Sequence, residues 1–404
     1  METYLVGGAL RDRLLGRPVS DRDWVVTGAS PQDLLALGYR RVGKAFPVFL
    51  HPETGEEYAL ACRDRADPGS ASAQVTIEED LRSRDLTVNA LAERADGTLI
   101  DPTGGLRDLE QRRLRMVSPR VFVDDPLRVL RVARLAAELD DPGFEVTPET
   151  AGAMRAHRVR EGLLTLAGER VWGEIRRALA SPAPARFVRE LRRAGVLAEV
   201  LPEVAALFGV PQPARWHPEI DSGLHTLMVL EQATRLSPKV GVRLAALTHD
   251  LGKADTPADI LPSHRGHEAR GVKRVAQLAA RIRLPADIAR LARSTARWHA
   301  HVHRAAQLEP ATVLEVLEGC DALRRPEGFE DLLLACEADY RGRGGFARRP
   351  YPQADYFRAA LAAARIDAAA AAHGRRGRAA AEAVRRARIA AIAAVPRVAP
   401  DQPE

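Results

Sequence analysis

The sequence predicts an α+β head followed by a long all-α remainder, and three observations carry that fold class. Short apolar strand patterns alternate with short helices up to about residue 118. From about residue 120 nearly every segment has helical periodicity. Punctuation at Pro142-Gly143, Ser181-Pro182, Pro211-Gln212-Pro213 and Pro262 then cuts this second part into helices without adding strands. The expected divisions are 1–118, 119–210, 211–330 and 331–404. A length of 404 residues accommodates them.

Composition narrows the class. Hydrophobic residues make up 46% and charged residues 28%, the balance of a soluble globular chain. A net charge of +6 permits a polyanionic partner. The three cysteines, Cys62, Cys320 and Cys336, are too far apart for a zinc motif or a disulfide framework, which points to a reducing cytoplasm. No membrane segment or signal peptide is expected.

Taken in order, the first element is a strand through Tyr4, Leu5 and Val6, followed by Gly7-Gly8 and a turn of helix bearing Arg11 and Arg13. Glycines without Cβ atoms let the backbone approach a triphosphate, and the helix offers its N-terminal amides to the anion. A second strand opens with Asp21-Arg22-Asp23 and continues through Trp24-Val25-Val26. Side chains alternate along a strand, so Asp21 and Asp23 face the same way and form a half-shell for Mg²⁺.

Further strands are expected at 46–50, 57–61, 98–100 and 114–117. Glu57 is the candidate third carboxylate; a solvated strand-end glutamate is the other reading. Residues 82–90 predict the start of a helix with Leu86, Ala90 and Leu91 on its apolar side and Arg84, Asp85 and Asn89 on its polar side. Asp101 to Leu109 reads as a turn feeding a helix. The next helix is expected to be capped by Asp124 or Asp125, with Pro126 in its first turn. Arg128, Arg131 and Arg134 make a basic stripe on it, while Val129, Leu130, Val132 and Ala133 pack the other side.

Together, strand, Gly-Gly, helix and Asp-x-Asp resemble the signature of the DNA polymerase beta-like nucleotidyltransferases, and more narrowly the bacterial tRNA nucleotidyltransferases of the eubacterial and eukaryotic CCA-adding class. The resemblance spans about residues 1 to 350. It implies a nucleotidyltransferase head over 1–118 and a neck over 119–210 that reads the nucleobase. It also implies a nucleotide site formed by Gly8, Arg11, Arg84, Asp85, Asn89, Asp125, Arg128, Arg131 and Arg134. Arg84, Asp85 and Asn89 match the motif that binds triphosphate and ribose. Cytosine and adenine each present an amine beside an unprotonated ring nitrogen, so an acceptor at Asp125 and a donor at Arg128 fit both and mismatch uracil and guanine.

The implied activity is template-independent addition of CCA to the tRNA 3′ end from CTP and ATP. Catalysis falls to Asp21, Asp23 and Glu57, with Mg²⁺ on Asp21 and Asp23. Cys62 stands where the family has an arginine, and the loop over 64–75 is short. CC-only addition with a separate A-adding partner, or poly(A) polymerisation, are the alternatives.

Eight of the eleven histidines lie between His217 and His303. His225 followed by His249-Asp250 resembles the HD superfamily of metal-dependent phosphohydrolases, which gives 211–330 an HD domain and leaves 331–404 as a basic helical tail. Imidazole and carboxylate suit a transition metal such as Ni²⁺ or Mn²⁺. The implied activities are 2′,3′-cyclic phosphodiesterase, 2′-nucleotidase and phosphatase. His264, His267, His299, His301 and His303 are further candidates, and His299-Ala300 lacks the carboxylate expected beside a histidine there. Asp321 and Asp339 are the two candidates for a late aspartate. The expected state is monomer or homodimer.

Overall fold

The computed structural model describes residues 1–19, 22–42, 48–64 and 68–397. Two compact units emerge, one formed by Met1–Leu166 with Arg189–Glu199 and the other by Ala167–Val188 with the chain from Val200 onward.

The first unit is built on a seven-stranded mixed sheet in the order β3-β4-β5-β2-β1-β6-β7. The strands are β1 (Glu2–Val6), β2 (Asp23–Thr27), β3 (Arg40–Val42), β4 (Val48–Leu50), β5 (Glu57–Leu60), β6 (Ala92–Glu93) and β7 (Leu99–Ile100). Their alternating side chains feed two cores. Tyr4 and Val6 join Val25, Ile77 and Leu81 in one, while Val26, Leu34, Phe49 and Leu60 form the other. All neighbouring pairs in the sheet run antiparallel except β2 and β5, which are parallel. That exception places Asp23 directly opposite Glu57.

Helix α1 (Gly7–Leu14) follows β1 without a linking residue. Helix α2 (Pro31–Ala36) is closed at its start by a Ser30–Asp33 capping box, and α3 (Ile77–Arg82) by one from Thr76 and Glu79.

The helix expected over residues 82–90 does not form. Instead α3 ends at Arg82, and only a 3₁₀ turn, Thr87–Asn89, follows. The backbone there has other partners. Thr87 N–H donates to the Arg115 carbonyl at 2.9 Å, Val117 N–H donates to the Asp85 carbonyl at 3.1 Å, and Leu86 bridges Met116. Strand-like pairing to the segment after β8 (Arg113–Leu114) therefore outcompetes local helix propensity. It also confines the strand expected over 114–117 to its first residue.

Helices α4 (Gly105–Glu110) and α5 (Arg120–Asp124) lead to α6 (Leu127–Glu138). Pro126 occupies the cap position of α6, and the Asp125 carboxylate accepts a hydrogen bond from Leu127 N–H at 3.2 Å. Val129, Leu130, Val132 and Ala133 are fully buried, as the periodicity predicts. After α6 the two-residue β9 (Glu145–Val146) pairs with β8, and the rest of the described chain is helical.

In the second unit the helix Ser222–Leu236 packs with Val240–Thr248 and Pro326–Arg341 around Val229, Ala233, Ala246 and Ala338. A second core is centred on Phe329 and Phe357, and the Ala- and Arg-rich tail contributes its helix Gly377–Ala393 through Ile392. No helix among the described residues is long and apolar enough to cross a membrane.

Gly252, in the His-Asp-x-Gly-Lys stretch, sits where a Cβ would meet the His267 carbonyl oxygen at 2.0 Å and the Gly271 nitrogen at 2.4 Å. Both obstacles are backbone, so neither can swing away. Gly252→Ala is expected to destabilise the second unit by about 1–3 kcal/mol or more. At Gly173, within the helix Gly168–Ala180, a Cβ meets nothing within 4 Å. There Gly→Ala is expected to stabilise by up to about 1 kcal/mol. Thermal melts of the two variants check the contrast.

Candidate functional site

In the first unit the chemistry gathers where β1, β2 and β5 converge. Asp23 opens β2, Glu57 opens β5, and parallel register sets their Cα positions side by side. Both line a cavity of about 190 Å³ together with Val6, Trp24 and Arg84. Asp21 lies outside the described residues.

Gly7 has φ of +69° and lets the chain turn from strand to helix at once. A Cβ there would come 3.1 Å from Arg84 Nη1 and 3.7 Å from Asp23 Oδ2, so the glycine also keeps this corner open. Gly8 is half-buried on the same turn, with the Arg11 guanidinium 3.5 Å from where its Cβ would stand.

Four of the residues expected at the nucleotide join in one hydrogen-bonded series. Arg11 Nη1 donates to Asn89 Oδ1 at 2.8 Å, Asn89 Nδ2 donates to Asp85 Oδ1 at 3.3 Å, and Arg131 Nε donates to Asp85 Oδ2 at 2.9 Å. Leu86 N–H adds a fourth bond, to Asp85 Oδ1 at 2.8 Å. Burial pushes the Asp85 carboxyl upward, yet the Arg131 charge and these hydrogen bonds outweigh it and hold the group well below the usual carboxylate range.

On the first turn of α6, Arg128 is buried and Asp125 half-buried, with Arg128 N–H donating to the Asp125 carbonyl at 3.0 Å. Arg134 pairs along the same helix with Glu138 at 2.6 Å.

Asp80 escaped the sequence reading. Fully buried on α3, it accepts from Arg84 Nε at 3.2 Å and Nη2 at 3.1 Å, and from Cys62 N–H at 3.2 Å. The i, i+4 spacing of Asp80 and Arg84 was the available signal. The residue after β5 that departs from the family pattern, Cys62, thus supplies its backbone to this carboxylate.

The second unit collects the histidines. His225 is carried by the helix Ser222–Leu236, His249 and Asp250 follow the helix Val240–Thr248, and Asp339 lies on Pro326–Arg341. All four side chains are almost wholly inaccessible to solvent. His225 Nε2 is 3.0 Å from Asp339 Oδ1, His249 Nε2 is 3.0 Å from Asp250 Oδ2, and His249 Nε2 is 3.5 Å from Asp339 Oδ1. Ligand atoms of His225, His249 and Asp339 lie close enough together to hold one metal ion.

Of the two late aspartates, Asp339 is the one in this cluster, whereas Asp321 pairs with Arg324 and Arg325. Glu219, also missed by sequence reasoning, lies 2.8 Å from His225 Nδ1 and 3.1 Å from His217 Nδ1. Its signal was the Trp-His-Pro-Glu run just ahead of the His225 helix.

His303 Nε2 meets Asp339 Oδ2 at 2.6 Å, and His264 Nε2 meets the Pro211 carbonyl at 2.9 Å. His267 and His299 face Asp250. The cluster opens on a cavity of about 530 Å³ lined among others by Trp216, Lys253, Arg304 and Arg343. A buried set of imidazoles and carboxylates beside such a cavity can hold a transition metal next to a phosphoester.

Three family models match the chain: the Poly A polymerase head domain over residues 3–115, the Probable RNA and SrmB- binding site of polymerase A over 143–208, and the HD domain over 223–339. The Multifunctional CCA protein of Thioalkalivibrio sulfidiphilus is 58% identical over 369 residues, covering 90% of each chain. That of Methylococcus capsulatus is 54% identical over 90% of this chain and 87% of its own.

Among solved structures, the complex of a CCA-adding enzyme with ATP superposes with a TM-score of 0.66 at 18% identity, covering 98% of this chain and 87% of that one. The Thermotoga maritima CCA-adding enzyme complexed with tRNA gives 0.59 at 18% identity, over 91% and 80%. These structural likenesses speak to the fold. Identity above one half along nine tenths of the chain speaks to descent, and the protein belongs to the multifunctional CCA protein family.

Proposed function

We propose that this chain adds CCA to the 3′ end of tRNA from CTP and ATP, releasing pyrophosphate, and that its histidine cluster hydrolyses phosphoesters as a 2′,3′-cyclic phosphodiesterase, 2′-nucleotidase and phosphatase. The observation that carries the reading is the 58% identity to a Multifunctional CCA protein over 90% of both chains. The cavity shared by Asp23, Glu57 and Arg84 supports it. The same relatives favour complete CCA addition over CC-only addition or poly(A) synthesis, despite the short loop over 64–75.

In this reading Asp21 and Asp23 hold Mg²⁺, which supplies a lowered pKa for the attacking 3′-hydroxyl and charge neutralisation at the α-phosphate. Hard carboxylate oxygens at a strand end fit that ion. Glu57 adds a third carboxylate to the same corner. Arg84, held by Asp80, binds the triphosphate, with the α1 amides at Gly8 and the Arg11 guanidinium beside it. Asn89 and Asp85 contact the ribose, and Asp125 with Arg128 reads the base edge. Arg131, through Asp85, and Arg134 support the nucleotide from α6. In the second unit His225, His249 and Asp250, joined by Asp339, hold a transition metal such as Ni²⁺ or Mn²⁺.

Purified protein given Mg²⁺ and tRNAs lacking CCA, CA or only A is expected to restore each end with CTP and ATP and to ignore UTP and GTP. Asp23→Ala should abolish addition, and a wild-type reaction that stops after two Cs would overturn the full-CCA reading. Asp125→Ala should admit UTP or GTP while lowering overall incorporation, measured by single-nucleotide extension with each NTP.

Asp80→Asn keeps the side-chain volume but removes the charge that grips Arg84. Its KM for CTP and for ATP should rise together by about 10-fold, the equivalent of one charge-assisted hydrogen bond. Unchanged KM values with a lowered melting temperature would reduce Asp80 to a structural residue.

A further inference from the structure

Two side chains in the wall of the cavity beside the histidine cluster take no part in that cluster: Trp216 and Gln353. Gln353 stands in the first turn of the helix Pro352–Ala364. It is 5% exposed, and its Oε1 is a buried acceptor with no hydrogen-bond partner among the described residues. A buried amide oxygen left unpaired costs free energy that a donor on a ligand recovers.

Trp216 presents the opposite anomaly. An indole ordinarily buries most of its surface, yet this one is 44% exposed where it lines the cavity. The backbone keeps it there. In the loop from Pro211 to Asp221, whose ends bridge each other, Trp216 N–H donates to the Pro213 carbonyl at 3.0 Å and Gln212 N–H to the Ile220 carbonyl at 2.6 Å. Ile220 takes φ of +60°, a left-handed conformation that a β-branched residue adopts at a cost. On either side of Trp216 in the chain, His217 is tied to Glu219 at 3.1 Å, and the Arg215 guanidinium lies over the indole, 5.1 Å from its centroid. The loop is thus committed to a conformation that holds an aromatic ring at the cavity instead of in a core.

We propose that Trp216 and Gln353 form a nucleoside subsite of this cavity. The indole stacks on the base, and the Gln353 amide bonds a hydroxyl or amine of the nucleoside while its phosphoester lies against the histidine cluster. Every base has a π-face, so the pair selects for the presence of a nucleoside and not for one base over another. A volume of about 530 Å³ suits one small ligand. The proposal rests on reading the histidine cluster as a phosphoesterase.

The full chain, supplied with Ni²⁺ or Mn²⁺, is assayed on 2′,3′-cyclic AMP and on glycerol 2-phosphate, which carries no base. Trp216→Ala is expected to lower the ratio of kcat/KM for the cyclic nucleotide to that for glycerol 2-phosphate by about 10-fold, through KM, and Trp216→Phe to restore most of it. Gln353→Met keeps the side-chain length and removes the amide. It should lower the same ratio about 5-fold, a readout that lost stability alone does not move. In parallel, 2′-AMP should quench the tryptophan emission of the unaltered chain more than that of Trp216→Phe. An unchanged ratio in Trp216→Ala overturns the subsite and leaves phosphoester hydrolysis standing. Failure of the unaltered chain to hydrolyse either ester overturns the phosphoesterase reading instead, and the difference in quenching then decides whether a nucleoside binds at Trp216.

Discussion

Asp85 is the group on which the nucleotide side of the first unit depends. A buried carboxylate would take up a proton, but Arg131 reaches it from α6 and keeps it charged. As an anion it accepts from Asn89, which in turn accepts from Arg11 on α1. One charge thus fixes three elements: the glycine-led helix, the 3₁₀ turn and the arginine-striped helix. The residues proposed to touch triphosphate and ribose are connected before any nucleotide arrives, which lowers the ordering cost of binding.

The sheet does a separate job for the proposed catalytic carboxylates. Within the seven-stranded sheet only the β2–β5 pair is parallel among the described residues, and that exception brings Asp23 level with Glu57 although 34 residues of sequence separate their numbers. Arg84 reaches the same cavity from the other side, its guanidinium gripped by a carboxylate that has no exposure to solvent. A rigid fork held in this way presents its remaining N–H groups in a fixed direction. The second unit uses a related device, backbone carbonyls that lock imidazole rings by their Nδ1 atoms.

Much of this was legible in the sequence because the signals were local. Strand alternation, Gly-Gly and the Asp-x-Asp spacing located β1, α1 and β2, and the apolar positions of α6 were read correctly one by one. What local pattern could not carry was competition for backbone hydrogen bonds. Residues 82–90 have a helical face, but the Asp85 carbonyl and the Thr87 N–H are spent on the 115–117 segment, which periodicity cannot see. Long-range pairing hid the rest. Asp80 looks like one acid among several at a helix start, and Asp339 stood level with Asp321 until folding brought it to His225. Asp21 is legible in the sequence and lies outside the residues described by the structure.

The distance in sequence from His225 to Asp339 has a consequence for the order of events at the ribosome. The carboxylates Asp23 and Glu57 emerge within the first stretch of synthesis, and the sheet that aligns them can assemble once Ile100 has followed. The histidine cluster must wait for the helix Pro326–Arg341, since Asp339 lies near its end. Until then buried imidazoles and Asp250 have no complete set of partners. A nascent chain therefore acquires its proposed transferase corner well before its proposed hydrolase centre, and premature termination ahead of residue 339 would yield a polypeptide with the first set of residues and not the second.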